Sequence, residues 1–302
     1  MNNEYIFPEL PFEEWEKTNN TLHLYLQIIG KIRLKTFPKM NHWWHVPLYL
    51  SPRGITTRPI PYKDIQFEMS FDLIDHFFVI TSSDGHVKRF PLQDGLSVSQ
   101  FHTRVFEDLN ELGIYPKILA VPYDMPAISK EPFKTDSAHK SYDKEYVNRF
   151  WRILFQVDSL FQEFRGKFIG KCTPPHLFWH HFDLALTLFS GRKAPEREGA
   201  NIVEREAYSH EVISFGFWAG DINVREPAFY AYAAPVPERL FDQPIRPEKA
   251  LWNKEAGMAL YKYNDMRKEA DPRQALKDFL QSAYNVGAEL AEWDIEAFKI
   301  PE

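Results

Sequence analysis

The chain has a single cysteine, Cys172, in 302 residues, so neither an intramolecular disulfide nor a cysteine-based zinc site can form, a usage that fits a reducing compartment. No stretch approaches the roughly 18 consecutive apolar residues that a membrane-spanning helix requires. The first residues, Met-Asn-Asn-Glu-Tyr-Ile-Phe-Pro-Glu-Leu, lack both the basic and the apolar region of a signal peptide, and a cytoplasmic protein without a membrane partner is expected. Blocks of Lys and Arg are missing too. With 36 basic against 42 acidic side chains, the formal charge of -6 gives no chain-wide attraction for phosphate backbones, so nucleic acid is not an expected partner. Neither Gly-x-x-x-x-Gly-Lys followed by Ser or Thr nor Gly-x-Gly-x-x-Gly occurs, and strand-like runs follow one another instead of alternating with helices, which disfavours the nucleotide cofactors of those folds. The Gly-x-Ser-x-Gly elbow and the His-Glu-x-x-His zinc spacing are also absent. No cofactor and no metal are expected.

Apolar residues make up 44% of the chain, enough to bury a large core and to build two ordinary domains or one fused double unit. The most informative stretch is Asn41-His42-Trp43-Trp44-His45-Val46-Pro47-Leu48-Tyr49, which is echoed by His176-Leu177-Phe178-Trp179-His180-His181-Phe182-Asp183-Leu184-Ala185-Leu186. Each follows a helix-like segment and leads into strand-like sequence.

Leu22, Tyr25, Leu26, Ile29 and Ile32 share one face at helical spacing and predict a helix over about 19–36, with Thr18 or Asn20 as N-cap. Val46 to Ser51, Ile65 to Leu73, His76 to Thr81 and Val87 to Leu92 read as hairpin-linked strands. Ser97 caps a second helix ended by Gly113, after which Lys117 to Pro122 reads as a returning strand. Met125 to Tyr142 has no periodicity and reads as a linker. From Asp143 a long apolar stripe runs to Gly166, followed by strand-like runs at Leu177 to Leu188, Tyr208 to Trp218, Ala228 to Ala233 and Met258 to Tyr263. A last helix runs from Pro272 to about Trp293. The expected fold class is α+β, with a helix–antiparallel sheet–helix half at 1–125, a linker at 126–142 and a similar half at 143–302. The two sheets either pack side by side or continue into one curved sheet. Arg192 to Glu206 and Pro235 to Pro247 are expected surface loops.

The runs Asn-His-Trp-Trp-His-Val-Pro-Leu-Tyr (41 to 49), Phe-Ile-Gly-Lys-Cys (168 to 172), Phe-Asp-Leu-Ala (182 to 185), Ser-His-Glu-Val-Ile-Ser (209 to 214) and Ala-Phe-Tyr-Ala-Tyr-Ala (228 to 233) resemble a bacterial family known only as a domain of unknown function. The likeness covers essentially the full length. It implies a bacterial protein that stands alone as a full-length unit, and it brings no activity with it.

Chemistry must therefore be read from the residues. Neutral imidazole is a common metal ligand, and a site could combine His42 or His45 with His181, Asp183, His210 or Glu211, His181 and Asp183 being expected on one strand face. Satisfied hydrogen-bonding histidines are the plainer reading. Alternation over 208–218 groups Glu211 with Ile213, Phe215 and Phe217, and His210 with Tyr208, Val212, Ser214, Gly216 and Trp218. A carboxylate on so apolar a face is either a functional acid or half of a buried ion pair.

Aromatic side chains near carboxylates and histidines suit a pocket for a small polar molecule. The expected pocket lies at the seam of the halves. Its candidate catalytic groups are Glu211, His210, Asp183 and His45. Its candidate ligand contacts are Asn41, His42, Trp44, Arg53, Trp179, Arg192, Trp218, Tyr230 and Tyr232, with Arg53 or Arg192 fixing an anionic group. The expectation is a small-molecule-binding protein, in its enzymatic version a hydrolase-like or other acid–base catalyst. The alternative is a structural or protein-interaction protein whose histidines and tryptophans are core. Oligomeric state and the choice between enzyme and binder are not legible at this level.

Overall fold

The computed structural model describes residues 6–125 and 127–300; the residues 1–5 that enter the signal-peptide argument, Pro126 of the expected linker, and 301–302 lie outside the described residues. The chain is mixed α+β, with two antiparallel sheets of six strands each.

Helix α1 (Phe12–Thr36) starts well before the periodic stretch, behind Pro11 and with no side-chain cap, and Glu13 and Glu14 face its positive end. It is enclosed on nearly every side, so its polar residues must find partners inside the protein. His23 Nε2 bonds the carbonyls of Trp179 (2.9 Å) and His180 (3.2 Å). The Gln27 amide donates to the Tyr123 carbonyl at 2.9 Å and accepts from the Tyr123 N–H at 2.7 Å. Arg33 Nη1 donates to the Thr57 carbonyl at 2.5 Å. Buried polar groups on α1 thereby fasten three irregular segments, two of which border the cavity described below.

The first sheet comprises β1 (Tyr49–Ser51), β2 (Gly54–Thr56), β3 (Ile60–Tyr62), β4 (Ile65–Asp72), β5 (Phe77–Ser82) and β6 (Val87–Pro91), in the order β1-β2-β4-β5-β6 with β3 also on β4. Helix α2 (Val98–Glu111) follows, its start fixed by a capping box between Ser97 and Gln100. Gly113, with φ of +74°, sits just past its end in the left-handed conformation expected there. Lys117 to Pro122 is irregular and not a strand. The segment 127–142 has no regular structure, as expected, but it is packed. Phe133 is fully buried, and the Asp136 and His139 carbonyls accept from the first N–H groups of α2 at 2.9 and 3.0 Å.

Helix α3 (Lys144–Arg165) is capped by the Asp143 carboxylate. The second sheet, β7 (His176–Phe178), β8 (Asp183–Lys193), β9 (His210–Trp218), β10 (Ala228–Ala234), β11 (Leu251–Asn253) and β12 (Met258–Lys262), has the order β11-β12-β10-β9-β8-β7. A short helix α4 (Ile202–Ala207) lies between β8 and β9; α5 (Tyr263–Met266) and α6 (Pro272–Leu290) follow β12. Asp271 and Pro272 begin α6 as expected. The sheets meet edge to edge. Leu48 and Leu177 exchange both backbone hydrogen bonds, at 2.8 and 3.0 Å, joining the edge of β1 to that of β7 in antiparallel sense. From this seam the first sheet runs outward as β1-β2-β4-β5-β6 and the second as β7-β8-β9-β10-β12-β11, and one apolar core continues through residues of both halves.

Two expectations are corrected here. The run 177–188 is not one strand: a turn at 179–182, with Phe182 at φ +57°, separates β7 from β8. His181 therefore stands on the turn, bonded to Asp124 at 3.1 Å, and does not share a strand face with Asp183. Trp44 and Trp179 are not counterparts either, because Trp44 precedes β1 whereas Trp179 follows β7. Among the described residues no helix is long and apolar enough to cross a membrane.

Candidate functional site

The second sheet has one face covered by helices: Phe215 meets Phe164 of α3, and Ile213 meets α6 at Gly287. The opposite face is open. Its alternate residues Asp183, Ala185, Thr187 and Phe189 of β8, Val212, Ser214 and Trp218 of β9, and Tyr230 and Tyr232 of β10 form the floor of a cavity of about 720 Å³. The rim is contributed by His42, Trp43, Trp44 and Val46, by α4 and Tyr208, by the turn from Phe178 to His181, by Tyr123 and Asp124, and by Lys31 of α1.

The floor is organised by one glycine. In the strand register Gly216 stands opposite both Ala185 and Tyr230. A Cβ there would lie 2.2 Å from Tyr230 Cζ, so only glycine lets the tyrosine ring lie across β9. The Tyr230 hydroxyl thereby reaches β8 and donates to Asp183 Oδ2 at 2.6 Å. Beside it runs a chain of hydroxyls, with Tyr208 to Tyr232 at 3.0 Å and Ser214 to Thr187 at 2.8 Å. The Ser214 hydroxyl also meets that of Tyr232.

Burial raises the Asp183 carboxyl above its ordinary range, against the opposing effect of the Tyr230 hydrogen bond and the nearby His181. Burial likewise pushes the Tyr230 and Tyr232 phenols well up. Asp183 is only partly buried, because one side of it faces the cavity. No Lys or Arg among the described residues pairs with it. His180 is held neutral, its pKa pushed down to about 3 by burial and by His181 and His23. Burial is also the main cause of the lowered pKa of His42, with Lys171 adding to it.

The backbone at the rim is strained. His42 and Trp43 are successive non-glycine residues with φ of +53° and +60°, and Phe182 at +57° closes the opposite side. Each costs on the order of 1 kcal/mol or more, offset by the packing around it. Gly30 of α1 lets Trp179 approach: a Cβ there would be 2.2 Å from the indole, whose Nε1 donates to the Val46 carbonyl at 3.0 Å.

Of the residues singled out from sequence, the cavity brings together Asp183, His42, Trp44, Trp179, Trp218, Tyr230 and Tyr232. His210 adjoins it, edge-on to His42 at 5.5 Å, with Nδ1 bonded to the Ser209 hydroxyl. His45 is buried beside it, stacked on Trp43, its Nδ1 accepting from the Met40 N–H at 3.2 Å, and Asn41 is exposed.

The remaining three lie elsewhere. Glu211 is on the helix-covered side of β9, as the alternation required, and there it accepts from Arg192 Nε (2.9 Å) and Nη2 (2.7 Å) and from the Ser190 hydroxyl. Arg192 also donates to the Ala291 and Glu292 carbonyls at the end of α6, so this is a helix-terminating ion pair. Arg53 is held by Asp72 and Asp75 on the first sheet. Neither arginine reaches the cavity. No group of three His, Cys, Asp or Glu side chains converges as a metal site among the described residues.

Sequence reasoning missed the hydroxyl chain, Lys31, Asp124 and α4. The signal for α4 was present inside the charged 192–206 segment, since Asn201 and Glu204 form a capping box.

No curated protein and no solved structure matches the chain. A family model matches residues 7–300, and the chain belongs to that family, DUF5996, a family of unknown function.

Proposed function

We propose that the protein binds a small molecule in the seam cavity, anchored at Asp183, and that in an enzymatic version Asp183 serves as the acid or base with Tyr230 orienting its carboxyl. The observation that carries this reading is a partly accessible acid, with no Lys or Arg paired to it among the described residues, on the floor of a 720 Å³ cavity. A structural role for the histidines and tryptophans accounts for His176 and Trp179, which are packed inside, but leaves that cavity without a purpose. The setting proposed is a bacterial cytoplasm, in keeping with the single cysteine and the lack of any basic block. The two halves are proposed to descend from a duplication; what supports this is that each carries a six-stranded antiparallel sheet starting at the contact between Leu48 and Leu177.

The test is a thermal-shift screen of a metabolite library against the full chain and Asp183→Asn, with native mass spectrometry of the purified protein. Compounds that stabilise the wild type and fail on the variant are expected. If no compound shifts the wild type, or every hit is indifferent to the variant, the reading is wrong.

A further inference from the structure

We propose that the cavity takes an organic cation, an ammonium group carried on an apolar chain, with its charge seated against Asp183 beside Trp218 and Tyr230; this rests on the ligand-binding reading above.

Three observations point to it. Asp183 stands at one end of the β8 side of the cavity and Phe189 at the other, about 20 Å apart at the rise of an extended strand. Charge and aromatic faces coincide at the Asp183 end, where the rings of Trp218 and Tyr230 lie 5.9 Å apart and are inclined by 48°. A carboxylate beside π faces favours a cation on two counts, Coulomb attraction and the ring quadrupole. The far end presents Val212 and the rings of Phe189 and Trp44, with His42 packed on both rings and the Lys171 ammonium 5.1 and 5.2 Å from the Trp44 and Phe189 ring centres.

The rest of the lining favours the same sign. No arginine contributes to it, and its one lysine, Lys31, is held 5.9 Å from the ring centres of both Tyr123 and Trp179. An anionic head would therefore meet Asp183 with only the exposed His181 to oppose it. A neutral head would leave the carboxyl without a counter-charge. An ammonium supplies that charge and lets its chain follow β8 towards Phe189.

The experiment compares octyltrimethylammonium, 1-octanol and octanoate on the full chain, by calorimetry and by tryptophan fluorescence, since Trp44, Trp179 and Trp218 line the cavity. The ammonium is expected to bind about tenfold or more tightly than the alcohol. Asp183→Asn should remove most of that advantage without weakening the alcohol. Trp218→Leu, which keeps the carboxylate, should weaken the ammonium severalfold. If the alcohol or octanoate binds as tightly as the ammonium, or the advantage survives in Asp183→Asn, the cation assignment is overturned while the binding reading stands. If none of the three binds the wild type, the cation assignment is overturned, and the binding reading is decided by the metabolite screen.

Discussion

Gly216 lies under the ring of Tyr230, and the space it leaves is what lets a residue of β10 hydrogen-bond Asp183 two strands away. Gly216→Ala should force the ring out. Overpacking of this kind costs about 1–3 kcal/mol. Urea denaturation should show that loss, together with a changed emission from the adjacent Trp218. Unaltered stability and emission would mean that the ring does not need the glycine.

Asp183→Asn should raise stability near neutral pH. Burial raises the folded-state pKa of Asp183 above its unfolded value of 3.8, so the unfolded chain ionises first as pH rises. The carboxyl is therefore a liability above the unfolded pKa, growing until pH passes the folded one, and the amide removes it. A melting-temperature gain at pH 7 that shrinks towards pH 4 is the expected outcome. A variant less stable than wild type at pH 7 would show that the ionised form is favoured in the fold.

Buried histidines set the acid limit of the molecule. Burial holds His23 at about 4, and His176 and His180 at about 3, against an ordinary value of 6.5. Below the ordinary value the unfolded chain takes up protons that the folded chain refuses, so stability falls from about pH 6.5 down to the folded pKa values. Between about pH 7.5 and pH 5.5 each should remove about 1.3 kcal/mol, about 4 kcal/mol together. Denaturant titrations at the two pH values measure this. Equal stability at both would contradict the neutral, buried state of these rings.

Glu211→Gln should leave ligand binding in the seam cavity unchanged. Its partner Arg192 keeps 47% of its side chain exposed, which screens the pair, so a loss of about 1 kcal/mol is expected. Loss of ligand binding in this variant would move the functional site to the other face of β9.

Much of this architecture is legible in single residues. Ser97, Asp143 and Asp271 mark three helix starts because each needs only a nearby backbone N–H to cap. The alternation along 210–218 divides the faces of β9 correctly because side-chain direction in a strand follows parity alone. Which face stays open does not, since that depends on α3 and α6 packing from distant parts of the chain. Asp183 and Glu211 therefore look alike in sequence, and only the fold gives Glu211 a guanidinium and Asp183 a tyrosine. The turn at 179–182 is similarly hidden. It is latched by His23, far earlier in the chain, and no local signal separates it from the strands it joins.

The backbone exchange between Leu48 and Leu177 also bears on aggregation. Strand edges with free N–H and carbonyl groups invite pairing with other chains. At the seam the bridge between Leu48 and Leu177 occupies one position on each of the β1 and β7 edges. At the two outer ends, β6 carries Lys88, Arg89 and Pro91, and β11 is only three residues long. A change that opens the seam, such as Leu48→Pro, would remove the donor to the Leu177 carbonyl and leave that position on the β7 edge ready for strand pairing between molecules.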